Sequence, residues 1–256
     1  MTGFFMRNYR FTINSEDLCE TEQIIVNNPD LQHQIKNVLR LSPDSKEEIS
    51  FINGTGKVWF VSIEEVKNKS TVFKILKVED SKRELLNQVS FLVPVIKADA
   101  FSFMIKKLTE LGVQKIIPVN FSRSQKQNVL SLQKDSQRQR LVKVIQEATE
   151  QCEGACFTEL SEIWNLEDAI KNIGEDSLKI FASERMADQD ENQNYAVVGE
   201  VERAKNICLL VGPEGGLPEE EVELLLSSGF RQYSLGKRLL KAETAAITLF
   251  SSLRIH

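Results

Sequence analysis

The sequence predicts an α/β protein in two parts: a small β-rich domain over residues 1–79 and a larger α/β domain over residues 80–256. Three observations predict it. In the first part, short apolar runs flank an Asn53-Gly54 turn, a hairpin signal. Beyond it, apolar runs of strand length alternate with stretches whose apolar residues recur at helical spacing, the pattern of βα units. Residues 207–253 then read strand, glycine loop, helix, strand, loop, helix without interruption.

The elements follow in order. Residues 4–11 mix aromatics with arginines and form a first strand. Residues 29–41 form a helix, with Leu31, Ile35, Val38 and Leu39 at helical spacing. Residues 46–52 and 57–66 are the two strands of the hairpin, and 71–78 is a further strand. Several short strands around one helix point to a small barrel. Residues 80–88 are charged and read as a linker. Residues 90–96 form a buried strand that contains Pro94; a proline removes a ladder donor, so this strand is expected at an edge or bent. Residues 99–111 form an amphipathic helix with Phe103, Ile105 and Leu108, stopped by Gly112. A short strand follows at 115–119, and a helix at 136–151 carries Leu141, Val144, Ile145 and Ala148 on one face. Residues 178–182 are a strand, and 186–201 a polar, acidic connection.

The strand at 207–211 runs into the loop Gly212-Pro213-Glu214-Gly215-Gly216. Pro218 and three glutamates open the next helix, where a missing N–H costs nothing and acidic residues suit the helix dipole. Gly229 ends it. A strand at 231–235, a loop at 236–242 and an apolar helix at 243–253 complete the chain.

Composition bounds the function. With 41% hydrophobic and 27% charged residues the chain has material for a packed core, which excludes a disordered protein. No apolar run is long enough to cross a membrane, and the N-terminus lacks the apolar core of a secretion signal. The cysteines are Cys19, Cys152, Cys156 and Cys208, with no C-x-x-C pair, and the chain has two histidines. That argues against a disulfide or metal framework and fits a reducing cytoplasm. The net charge of −5 argues against nucleic acid, yet residues 97–143 carry ten Lys/Arg against three Asp/Glu. Such asymmetry makes either a basic face on an acidic protein or a set of solvated helix faces.

In open α/β sheets, ligands sit at the carboxyl ends of the strands. Two glycine-bearing loops close in sequence therefore point to one site built from both. A phosphate loop is excluded: neither glycine fingerprint is present, and Glu214 would repel phosphate. A ligand held by backbone groups fits better, while a plain strand–turn–helix remains the alternative for the first loop alone.

The combination of GPEGG at 212–216 with LGKRLLKAETAA at 235–246 resembles the uracil-N3 methyltransferases of small-subunit ribosomal RNA, the RsmE family of the SPOUT superfamily. A second signature agrees: Lys97, Lys107, Thr109-Glu110-Leu111-Gly112-Val113 and Ser122-Arg123-Ser124. So do His33 with Val38-Leu39-Arg40, and Glu147-Ala148-Thr149-Glu150-Gln151. Against the family pattern, Lys237 replaces a proline, Leu239 an isoleucine and Lys241 an arginine, and Gly154 stands where an arginine is usual.

The resemblance implies a fold: an N-terminal PUA-like β-barrel and a C-terminal SPOUT α/β domain with a deep trefoil knot. It implies S-adenosylmethionine as methyl donor, with no metal, held by three loops. These comprise Ala182 and Ser183; Val211, Gly212, Pro213, Glu214, Gly215 and Gly216; and Leu235, Gly236, Arg238, Leu239, Leu240, Glu243 and Thr244. Uracil N3 is a weak nucleophile until its proton leaves, and charge then spreads onto the ring oxygens. A preorganised cation lowers that barrier. Arg123 and Arg238 are the catalytic candidates for it, with Glu243, or Glu110, as base. RNA contacts are assigned to His33, Arg40, Lys97, Lys107, Arg123 and Gln151. The implied partner is 16S rRNA at the decoding-region uridine of an assembled 30S subunit, and the implied state is a cytoplasmic homodimer with no membrane association. Two other readings stay open. A ribose 2′-O-methyltransferase of the same superfamily is disfavoured by Pro213 and by Lys-Ala-Glu-Thr in the final loop. A non-catalytic RNA-binding protein is the third.

Overall fold

The computed structural model describes residues 8–14, 22–182, 197–253 and 255. Residues 4–7 of the strand expected at 4–11 and residues 186–196 of the connection expected at 186–201 lie outside that set. The chain divides into two compact units, one of residues 1–84 with 149–157, the other of 85–148 with 158–256. The division thus falls after Glu84 rather than at 79/80, and a short segment from the middle of the chain joins the first unit.

The first unit is a five-stranded sheet in the order β1-β3-β4-β5-β2. Its strands are β1 (Asn8–Thr12), β2 (Gln23–Val26), β3 (Glu48–Ile52), β4 (Lys57–Val66) and β5 (Thr71–Asp80). β1 pairs parallel with β3; the other neighbours are antiparallel. The β3–β4 hairpin turns where Asn53-Gly54 predicts it. Asn53 Oδ1 accepts from the Thr55 backbone N–H at 3.2 Å, and Gly54 has φ 83°. A Cβ on Gly54 would collide with the Phe157 ring. One face of the sheet buries Phe11, Phe51 and Phe73 with Ile24, Ile35 and Ile49. Phe51 and Phe73 meet edge-on at 4.9 Å between centroids, the arrangement that aromatic quadrupoles favour.

The helix expected at 29–41 is interrupted. α1 (Pro29–His33) is capped by Asn28, whose side chain accepts from the N–H groups of Asp30 and Leu31. It passes into a π-helical turn at Gln34–Val38, closed by Leu39 N–H on Gln34 O at 2.9 Å. The extra residue in that turn rotates the faces. Ile35 is buried, but Val38, expected on the same apolar face, is 61% exposed. Arg40 follows with φ 55°, a left-handed conformation rare outside glycine.

Residues 149–157 are tied to this sheet. Thr55 bridges Cys156. The Thr12 N–H donates to Glu150 Oε1 at 2.7 Å, and the Ala155 N–H to Glu84 Oε1 at 2.7 Å. The Arg10 guanidinium donates to the carbonyls of Glu153 and Gly154.

The second unit is a seven-stranded parallel sheet in the order β12-β10-β11-β6-β7-β8, with β9 also on β7. Its strands are β6 (Gln88–Pro94), β7 (Lys115–Asn120), β8 (Glu159–Leu160), β9 (Trp164–Asn165), β10 (Leu178–Ala182), β11 (Asn206–Leu210) and β12 (Arg231–Tyr233). Helices α2 (Ala98–Glu110), α3 (Lys126–Leu132), α4 (Asp135–Gln151), α5 (Leu166–Lys171), α6 (Glu219–Ser227) and α7 (Ala242–Ser252) connect them. Parallel strands buried on both faces explain the continuous apolar runs of β6, β7 and β11: Phe91, Leu92, Ile116, Val119, Leu209 and Leu210 are all buried.

Pro94 corrects one expectation. β6 lies inside the sheet, between β11 and β7, rather than at an edge. The proline is tolerated because it is the last strand residue, beyond Leu92, where the β11 ladder ends. Gly112 (φ 89°) and Gly229 (φ 83°) do end α2 and α6 in the left-handed conformation expected of helix stops. In α2, Ile105 and Leu108 are buried but Phe103 is half-exposed.

Candidate functional site

Because the sheet is parallel, its strands deliver their carboxyl ends to one edge, and the order β12-β10-β11 sets three of those ends side by side. A cleft of about 220 Å³ opens there. Ala182 contributes from the end of β10; Val211, Gly212, Pro213, Gly215 and Gly216 from the loop after β11; Leu235, Gly236, Arg238 and Leu240 from the loop after β12. Arg123, from the loop after β7, closes a further side. The stretches expected to form one site do come together.

Local chemistry shapes the walls. The glycine loop is a turn closed by Gly216 N–H on Pro213 O at 2.8 Å, with Gly216 at φ 69°. A Cβ on Gly212 would stand 2.9 Å from Leu217 Cγ, so the backbone packs there as only glycine permits. Gly236 is different: it has open space around it but φ 98°, so backbone conformation selects glycine. Arg123 donates through Nη1 to Gly215 O at 2.7 Å and remains exposed. Arg238 is also exposed. Among the described residues the cleft holds two guanidinium groups and no carboxylate, over an apolar floor of Leu217, Val222, Leu235, Leu240, Ala242 and Ala245.

Other expected site residues lie elsewhere. Ser183 is outside the described residues. Glu214 and Thr244 are exposed and Leu239 is 82% exposed; none of these three lines the cleft. Glu243 does not line it either, although its neighbour Ala242 does; its Oε2 is buried without a hydrogen-bond partner among the described residues. Glu110, the other carboxylate considered as base, is engaged by Lys107 Nζ at 2.7 Å. That ion pair also restrains Lys107. Lys97 is exposed at the N-cap of α2. His33, Arg40 and Gln151 are exposed residues of the first unit. At Gly154, where the family pattern has an arginine, the backbone carbonyl takes the Arg10 guanidinium instead.

Four lining residues were not foreseen: Leu217, Val222, Ala242 and Ala245. For the last two the signal was present. Ala242 and Ala245 are three apart at the start of an apolar helix that follows the loop, hence on one face. Among the described residues no cluster of three or more His, Cys, Asp or Glu is arranged to hold a metal ion, and no helix is long and apolar enough to cross a membrane.

Residues 83–254 match the family model of the RNA methyltransferase domain. The ribosomal RNA small subunit methyltransferase E of Rickettsia conorii is 30% identical over 98% of this chain and 96% of its own. A putative methyltransferase of Legionella pneumophila, solved in complex with the bound cofactor SAM, superposes with a TM-score of 0.76 at 26% identity, covering 97% of each chain. The ribosomal RNA small subunit methyltransferase E of Neisseria gonorrhoeae, bound to S-adenosyl methionine, has the same fold, with a TM-score of 0.79 at 24% identity over 97% of each chain.

Proposed function

The chain belongs to the RNA methyltransferase family, in the group of ribosomal RNA small subunit methyltransferases E, and on that premise we propose that it methylates N3 of a uridine in 16S rRNA from S-adenosylmethionine. The observation that carries this reading is the cleft at the carboxyl ends of β10, β11 and β12, into which both Arg123 and Arg238 are built.

The donor suits the cleft. Leu217, Leu240, Ala242 and Ala245 offer an apolar wall to a heteroaromatic ring, and Gly212, Gly215 and Gly216 leave backbone groups approachable. S-adenosylmethionine supplies an electrophilic methyl group on a sulfonium. The protein's task is then alignment for an in-line displacement and stabilisation of charge on the base. Arg123 and Arg238 supply fixed positive charge beside the uracil oxygens as the N3 proton leaves. Glu243 does not line the cleft but adjoins Ala242, which does, and its Oε2 is buried with no hydrogen-bond partner among the described residues; in this scheme it takes the proton from the cleft's rim. The target base leaves its stack to enter the cleft, as base-modifying enzymes require. His33, Arg40 and Gln151 on the first unit, with Lys97 and Lys107 on the second, hold the RNA by its backbone and shape.

The proposal extends to architecture. The first unit is a PUA-like barrel, the second is tied in a deep trefoil knot, and the enzyme acts as a cytoplasmic homodimer on the assembled 30S subunit. Membership of the family supports each of these points.

The test uses purified protein, labelled S-adenosylmethionine and unmethylated small ribosomal subunits, followed by nucleoside mass spectrometry. Label in 3-methyluridine is the expected result. Label in a ribose-methylated nucleoside overturns the choice of atom, and no label with RNA still bound overturns the enzyme reading.

A further inference from the structure

We infer that Glu221 is a positioning residue for methyl transfer, acting through Arg123. This rests on the role proposed for Arg123. Three glutamates open α6, and they are not equivalent: Glu219 and Glu220 are exposed, whereas Glu221 is half-buried. A glutamate at the third position of a helix ordinarily reaches back to the backbone N–H of the N-cap residue. Here the N-cap is Pro218, which has no N–H to offer. Glu221 reaches across the cleft edge instead, and its Oε1 accepts the backbone N–H of Ser122 at 2.8 Å.

Ser122 precedes Arg123, so the cation is held at both ends. Its backbone is anchored through Ser122 to the first turn of α6, and its guanidinium to Gly215 O, in the loop leading into that same helix. The loop's internal bonds, Phe121 N–H to Ser124 Oγ at 3.0 Å and Ser124 N–H to Phe121 O at 2.9 Å, set its shape but not its position against α6. The second carboxylate oxygen, Oε2, is buried and has no hydrogen-bond partner among the described residues. A carboxylate with one oxygen buried and unsatisfied is a poor stabiliser of a fold. Its geometry serves placement: it fixes where the guanidinium stands relative to the glycine loop, and electrostatic catalysis depends on such prior fixation.

The test measures kcat, and KM for both S-adenosylmethionine and small subunits, in the full chain and in Glu221→Ala, Glu221→Gln, Arg123→Ala and the Glu221→Ala/Arg123→Ala double variant. Glu220→Ala, on an exposed neighbour, is the control. Losing a hydrogen bond to a charged group corresponds to about a tenfold effect. Glu221→Ala is expected to lower kcat about tenfold with both KM values nearly unchanged. Glu221→Gln, whose amide oxygen accepts the same N–H, is expected to restore most of it. The double variant is expected to be no slower than Arg123→Ala alone, because a residue acting through another adds nothing once that other is gone. Wild-type kcat in Glu221→Ala, or additive losses in the double variant, overturn the inference. If Glu221→Ala does not fold, Glu221→Asp, one methylene shorter, carries the same comparison. A wild-type protein that labels no uridine refutes the proposed function instead, and the two failures are thereby distinguished.

Discussion

Replacing Gly212 with alanine tests whether the cleft is the donor site. The φ of Gly212 lies outside the left-handed region, so alanine is free of backbone strain there. The new Cβ, however, would lie 2.9 Å from Leu217 Cγ and 3.2 Å from its Cδ2. Carbon atoms pack at about 3.5 Å or more, so Leu217 must retreat by about 0.6 Å. It cannot retreat inward, because it packs on the core cluster of Leu92, Ile117, Leu210 and Leu225. It moves into the cleft that it lines. Overpacking of this kind costs roughly 1–3 kcal/mol of fold stability; Leu217 escapes that cost by occupying donor space, and a donor that must push it back loses about tenfold in affinity for about 1.4 kcal/mol of it. Titration calorimetry with S-adenosylmethionine measures it directly. Gly229→Ala is the matched control: φ 83° strains alanine, but nothing lies within 4 Å of the new Cβ. That variant should lose about 1 kcal/mol of stability with unchanged donor affinity. Donor affinity within twofold of wild type in Gly212→Ala, with Gly229→Ala behaving as stated, would refute the placement of the donor.

Arg123→Ala and Arg238→Ala should each lower kcat by about a hundredfold with the fold intact; full activity in both would sink the charge-stabilising role. Arg40→Gly relieves φ 55° and should gain about 1 kcal/mol in thermal unfolding while weakening RNA binding and sparing the donor. Unchanged RNA affinity in that variant would remove Arg40 from the RNA face. Complete burial pushes the Cys208 thiol far above its ordinary 9.0, so above that pH the unfolded chain releases a proton that the folded chain keeps. Stability therefore falls as pH rises past about 9, by about 1.4 kcal/mol per unit from this group. Cys208→Ala should flatten the alkaline limb of a denaturation series by that slope, and an unchanged slope would contradict it.

Much of the framework is legible locally. Gly112 and Gly229 read as helix stops because the left-handed conformation they adopt is a single-residue property. The Asn53-Gly54 turn, the strand at 178–182 and the acidic first turn of α6 are likewise properties of a few adjacent residues. That the loops at 212–216 and 236–242 meet at one cleft is legible because each follows a strand of the same α/β sheet. Expectations failed where a pattern of residue types leaves the detailed geometry open. Pro94 looked like an edge marker until the point at which β11 ends was known. Val38 looked buried until the π-helical turn rotated it outward.

The sequence by itself determined the longer strands and helices, the helix-stop glycines and the glycine-bearing loops at the cleft, because each depends on short-range sterics and on hydrophobic periodicity; it did not show β2, α3, α5 or the two-residue strands β8 and β9. Only the tertiary structure decided which strand ends lie side by side, which unit takes residues 149–157, and which of three successive glutamates reaches Ser122. Those outcomes turn on pairing and packing between residues far apart in the chain, whose partners no local pattern encodes.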